Sequence, residues 1–186
     1  MSVNKLITVT SFGCAAMVGL VVFGNSPHAA EVKLVWEEPE SYTDVRPSNE
    51  SRKRFRDRTL EELEAYITEL AASLPESQVL SMTVTNVDLA GEVWPSQFVG
   101  FGSAGASDVR IIKRIDIPRM SFSYTLSSED GQVLLSEQEV KLKDMDFMES
   151  NIRRHRTDSL SYEKAMLDDW FADTFPKQVA VNNTEH

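Results

Sequence analysis

Asp88 and Glu92 flank a turn at Gly91, and Asp108 and Asp116 lie on or beside the strand-like stretch that follows. Two carboxylates whose surroundings push their pKa values apart can run general acid–base chemistry, and a cluster of them can hold a hard cation. Turns favour Asp and Gly for conformational reasons alone, which accounts for Asp88 and Gly91 without chemistry. Asp88 and Glu92 stand as a candidate polar site against that simpler explanation.

The cations are clustered as well. Arg52, Lys53, Arg54, Arg56 and Arg58 form one group, Arg110, Lys113, Arg114 and Arg119 a second, and Arg153, Arg154 and Arg156 a third. The planar guanidinium fork of arginine suits two-point recognition of carboxylates and phosphates. If Arg110, Arg119, Arg153 and Arg156 converge, they would bind an anionic ligand or an acidic partner. The ordinary alternative is internal pairing with the 29 acidic residues of the chain, as surface ion pairs of small energetic weight.

Other constellations carry less. Gly100-Phe101-Gly102-Ser103-Ala104-Gly105 spells G-x-G-x-x-G, but dinucleotide sites place those glycines between a strand and a helix. Here a loop precedes the match and a strand follows it, so a flexible loop is the better reading, and no cofactor is expected. His155 is the only histidine away from the chain ends, and no G-x-S-x-G elbow occurs, which argues against a Ser–His triad. One interior histidine and a lone Cys14 near the N-terminus argue against structural zinc. Trp94, Phe98 and Phe101 put three aromatics in one long segment, which reads equally as a binding lip or as a cap on the sheet.

The elements that must position these groups follow from periodicity. Val32, Leu34 and Trp36 alternate as a short strand. Over 50–74, Phe55, Leu60, Leu63, Ile67, Leu70 and Leu74 form one apolar helix face. Thr59 and Glu62 also fit a capping box, which would start that helix later. Leu80, Met82 and Val84 alternate with Ser81, Thr83 and Thr85, and 109–117 is strand-like. Met120, Phe122, Tyr124 and Leu126 alternate with serines and threonines, and Asp130-Gly131 turns that strand into a hairpin partner over 132–142. A final helix runs to Phe175 with Leu160, Leu167, Trp170 and Phe171 on its apolar face. Strands that follow one another favour antiparallel meander pairing. The expected fold is α+β: a mostly antiparallel sheet of about five strands with two main helices on one face.

The N-terminus reads as a secretory signal peptide: Lys5 is its only charge, 6–24 is apolar or small, and His28-Ala29-Ala30 ends it in small residues. Cys14 does not make a lipoprotein signal, because Ser11-Phe12-Gly13 precedes it and the densest apolar stretch comes after it. Cleavage near Ala30 leaves one domain over 31–176 and a flexible tail over 177–186, with no transmembrane helix in the mature chain. It takes the net charge from −10 to −11, a poor match for nucleic acid, whose non-specific binding is driven by phosphate neutralisation. An exported domain of this size without cysteine points to a bacterial periplasm.

Several segments also resemble an uncharacterised family of small exported bacterial proteins. They are Tyr42-Thr43-Asp44-Val45-Arg46, Glu50-Ser51-Arg52, Val87-Asp88-Leu89-Ala90-Gly91-Glu92, Asp108-Val109-Arg110, Pro118-Arg119, Leu142-Lys143-Asp144-Met145, and the run from Asp158 through Glu163-Lys164 to Trp170-Phe171. The resemblance spans nearly the whole mature chain and implies export and a single domain, with no mechanism attached. The reading that results is a periplasmic, non-enzymatic binding or accessory module for an anionic ligand or an envelope protein. The alternative is a hydrolase or transferase working through Asp88, Glu92 and Arg119 on an envelope-associated anionic substrate.

Overall fold

The computed structural model describes residues 30–43, 51–94, 109–149, 155 and 157–176. Residues 1–29 with the expected signal peptide, the glycine-bearing stretch over 95–108 with Phe98, Phe101 and Asp108, the arginines Arg153, Arg154 and Arg156, and residues 177–186 with the expected tail lie outside the described residues.

Alternation of apolar and hydroxyl side chains builds the main sheet. Strands β1 (Glu31–Trp36), β2 (Gln78–Asp88), β5 (Arg119–Ser128) and β6 (Val133–Lys143) pair in the order β1-β2-β5-β6. Leu80, Met82, Val84, Phe122 and Leu126 are buried on one face, while Ser81, Thr83, Ser121, Ser123 and Thr125 are half-buried on the other. Gly131, at φ 87°, closes the β5–β6 hairpin in a conformation that suits glycine. A second, two-stranded antiparallel sheet joins β3 (Glu92–Trp94) to β4 (Val109–Ile111). The α+β class and the mainly antiparallel pairing are as expected, but the strands divide four and two rather than forming one sheet of five.

The meander expectation fails at one place. β1 pairs with β2 in parallel, from Glu31 opposite Val79 to Trp36 opposite Val84. The helix between them, α1 (Arg52–Ala71), carries the chain back across the sheet, as parallel neighbours require. Helix α2 (Ser161–Thr174) lies on the same face. Leu60, Leu63 and Ile67 of α1 and Leu167, Trp170 and Phe171 of α2 close over the buried strand residues. Trp170 meets Phe122 edge-on at 4.8 Å between ring centres. Tyr42 plugs the β1 end of this core, where its hydroxyl donates to Val84 O at 2.8 Å. Burial, and then the charge of Glu37, push its pKa up to about 12.

Helix α1 starts at Arg52, so Thr59 is a buried interior residue and the capping box is not used. Its charges also run against its own dipole. Arg52, Lys53 and Arg54 occupy the first turn with no acid among them, and Glu69 sits in the last turn with no base. Each such misplaced charge costs about 0.3–1 kcal/mol.

Candidate functional site

The turn after β2 sets the geometry of the small sheet. Gly91 has φ 74°, and a Cβ there would fall 2.3 Å from Ile111 O. Only glycine lets β3 and β4 approach at that point. The residue before it, Ala90, donates its N–H to Glu163 Oε1 at 2.7 Å, although Glu163 belongs to α2. Arg110 of β4 completes the join. Its Nη2 donates to the same Glu163 oxygen at 2.5 Å, its Nε to Ala90 O at 2.5 Å, and its Nη1 to Ser159 O. Glu163 is fully buried and Arg110 is 18% exposed. A buried carboxylate is tolerated only with such compensation, so this pair latches β4 and the Ala90 turn to the start of α2.

The other sequence candidates also meet charged partners close by. Asp88 and Arg119 are cross-strand neighbours on β2 and β5, and Arg119 Nη1 donates to Asp88 Oδ2 at 2.7 Å. Glu92 accepts from Trp94 Nε1 at 2.8 Å and from Lys113 Nζ at 3.1 Å. The Trp94 bond first, and then Lys113, hold its carboxyl below the ordinary range. That direction is wrong for a general acid at neutral pH. Asp116 lies 3.9 Å from the same lysine. The structure thus brings Asp88 to Arg119 and Glu92 to Lys113, and sends Arg110 to a different carboxylate. Arg153 and Arg156 lie outside the described residues.

Around these pairs the small sheet displays apolar surface. Among the described residues its own core buries Ala90, Ile117 and Phe147, with Ile112 and Tyr162 against them. The segments that supply this core leave Trp94 40%, Ile115 79%, Met145 63% and Met148 45% exposed. Lys113 Nζ sits over the Trp94 ring, 5.8 Å from its centre. Arg114, beside Ile115, reaches Glu149, beside Met148, at 3.3 Å. Aromatic, methionine and basic side chains therefore share one small lobe.

A second polar cluster joins the two helices. His155 Nε2 lies 3.1 Å from Tyr66 Oη and 2.9 Å from Asp168 Oδ2, and Tyr66 Oη also donates to Asp168 Oδ1. Lys164 donates to Asp158 and lies over the Tyr66 ring at 5.3 Å. A histidine flanked by a carboxylate and a phenol resembles a proton relay, but one nitrogen faces both partners, and Tyr66 and His155 are almost fully buried. The arrangement ties α1 to α2 and to the segment before α2. Among the described residues no group of three or more His, Cys, Asp and Glu is placed to hold a metal ion, and no helix is long and apolar enough to cross a membrane.

A family model described as a protein of unknown function, DUF3016, matches residues 30–173. The chain belongs to the DUF3016 family. No curated protein and no solved structure matches it. Four of the segments that carried the sequence resemblance are joined in the fold: Asp88 to Arg119, Ala90 and Arg110 to Glu163, and Asp158 to Lys164 within the last of them.

Sequence reasoning missed Glu163 and the Tyr66–His155–Asp168 cluster. Glu163 did leave a signal. It precedes Met166, Leu167 and Trp170 by three, four and seven residues, so it lies on the apolar stripe of α2 and needs a buried partner. His155 lies outside any periodic element and offered no such signal. The DUF3016 helix α2 thus carries two polar anchors besides its apolar face.

Proposed function

We propose that this DUF3016 domain is a periplasmic, non-enzymatic binding or accessory module, exported by its N-terminal signal and cut near Ala30, whose partner is an anionic ligand or an envelope protein. The observation that carries the reading is the exposed surface of the small lobe. Trp94, Ile115, Met145 and Met148 are exposed beside Lys113 and Arg114. Methionines adapt to varied partners, and aromatic and arginine side chains are enriched where proteins meet.

The test is site-specific photo-cross-linking in intact cells. A cross-linker at Met145 or Trp94 is expected to give one discrete adduct with an envelope component, identified by mass spectrometry. A cross-linker at Val35, which is 55% exposed on β1, is expected to give none. Equal, diffuse labelling from all three positions removes the surface. Turnover of a substrate by purified 31–186, abolished by Asp88→Asn or Arg119→Met, replaces the reading with the enzymatic one. Export is tested by fractionation: release on outer-membrane permeabilisation supports it, and retention in the cytosol overturns it.

A further inference from the structure

Strand β6 is the long open edge of the main sheet. It runs for 11 residues and pairs with β5, and among the described residues no strand meets its other side. The opposite edge, β1, is six residues long. An open edge presents a row of N–H and C=O groups that can template another strand, and proteins commonly guard such edges with lysines. β6 is guarded at one end. Lys141 and Lys143 alternate there with half-buried Val140 and Leu142. The hairpin half, over 133–137, is exposed on both faces, and no Lys or Arg occurs from Glu129 to Val140. Val133 is 60%, Leu134 43% and Leu135 40% exposed. Three consecutive exposed apolar residues do nothing for the core, and such a run is ordinarily avoided unless it is used.

Charge and shape select the occupant. Glu129, Asp130, Glu137 and Glu139 frame the apolar run, and among the described residues only Glu139 of the four meets a cation, Lys141. Two copies joined edge to edge would set these acids against their own kind, which destabilises strand pairing. The register of β6 against β5 also slips on both sides of 135–137, leaving Leu134 without a β5 partner. Bulges of this kind bend and twist a strand. A second rigid sheet edge fits such a strand poorly, whereas a single extended segment can follow it. Apolar side chains on that segment would cover 133–135, and basic ones between them would face the unpaired acids. In strand addition the main-chain hydrogen bonds give affinity and the alternate side chains give choice of partner.

We propose that the hairpin half of β6, over 133–137, is a docking edge for an extended segment of a partner protein that alternates apolar and basic residues. This edge lies at the end of the sheet away from Asp88 and Arg119 and does not depend on the small-lobe reading. The test follows a fluorescent peptide of alternating lysine and valine by anisotropy on the full mature chain. A copy N-methylated throughout keeps the charge and loses the N–H donors. The expected result is binding that falls at least about tenfold with the N-methylated copy and in Leu134→Lys/Glu137→Lys, and is unchanged in Met145→Glu. Both replaced side chains are exposed, so the double variant is expected to keep the parent's melting temperature. If it unfolds instead, the two peptides compared on the parent decide. No binding of the alternating peptide overturns the proposal, as does equal binding by the folded double variant or by the N-methylated copy. A concentration-dependent dimer of the parent that the double variant abolishes gives the edge to a second copy and also overturns it. Peptide binding with no adduct from Met145 removes the small-lobe reading alone, and a Met145 adduct without peptide binding removes this one alone.

Discussion

Among the described residues, 22 are buried in the core beneath the four-stranded sheet, whereas Ala90, Ile117 and Phe147 alone are buried in the cluster that carries β3 and β4. The main layer closes by removing apolar surface from water, at about 25 cal/mol per Å². Among the described residues the small lobe buries far less, and charge joins it to the rest: Glu163 holds Arg110 and the Ala90 turn, Glu92 meets Lys113, and Asp88 and Arg119 tie β2 to β5 at the end of the main sheet that leads into it. Regions with few apolar contacts open at lower free energy than the core. The difference separates a scaffold from a surface that responds to charge and displays what a partner would meet.

The comparison breaks most readily from the scaffold side. Phe122 is 2% exposed and packs on Trp170. Phe122→Ala is expected to cost about 3–5 kcal/mol of global stability, read from the urea midpoint at unchanged slope. A loss below about 1 kcal/mol would mean that the main layer is not the cooperative unit described here.

The latch gives the next effect. Glu163→Ala leaves Arg110 without its carboxylate and Ala90 N–H without an acceptor. Because Arg110 retains some solvent contact, the expected cost is about 2–3 kcal/mol, below that of a fully buried pair. The location of the damage separates the two regions. Hydrogen exchange should quicken at Val93, Arg110 and Ile111 while Leu80 and Met82 stay protected. Uniform loss across both sets would place Glu163 in the global core. Glu163→Gln keeps one acceptor oxygen and should recover part of the loss.

The bond between the helices is smaller. Tyr66→Phe removes the hydroxyl shared by His155 and Asp168 and keeps the ring under Lys164. One hydrogen-bonding group of this kind contributes about 1 kcal/mol. An unchanged thermal midpoint would show that His155 and Asp168 hold each other without it.

Those effects follow the limits of what the sequence made legible. The period-two alternation of Leu80 to Val84 and Met120 to Leu126 revealed the sheet, because each buried side chain is two residues from the next. Asp130-Gly131 marked the hairpin for a local reason, the positive φ at Gly131. The parallel pairing of β1 with β2 was not legible, since it depends on where α1 returns the chain and no local residue encodes that. The 109–117 stretch looked like one strand, but among the described residues only Val109–Ile111 pairs, because its partner β3 begins at Glu92, opposite Ile111, just after the Gly91 turn. The site divides the same way. Asp88 and Arg119 were visible as charged types, while their partnership, like that of Arg110 with Glu163, spans tens of residues and exists only in the fold.

The least of the effects is a pH dependence at the start of α2. Burial raises the pKa of Asp158, but the Lys164 bond, the Leu160 N–H and the nearby charges of Lys164 and His155 outweigh it, so the folded value lies below the ordinary 3.8. A lowered folded pKa means that the unfolded chain binds the proton more readily. The resulting stability is complete above the unfolded value and disappears as pH falls through the folded one. Lys164→Met removes the main counter-charge, leaving burial unopposed by it. The variant should therefore lose stability against the parent at pH 7, with the gap narrowing as pH falls through the lowered folded value and Asp158 takes up its proton in the parent too. The contact of Lys164 with the Tyr66 ring does not depend on that proton, so the gap remaining at low pH measures the ring contact. A gap that stays constant as pH is lowered from 7 until Asp158 is protonated in the folded parent would assign the whole effect to the ring and none to the ion pair, and the charge-held region would end at Glu163.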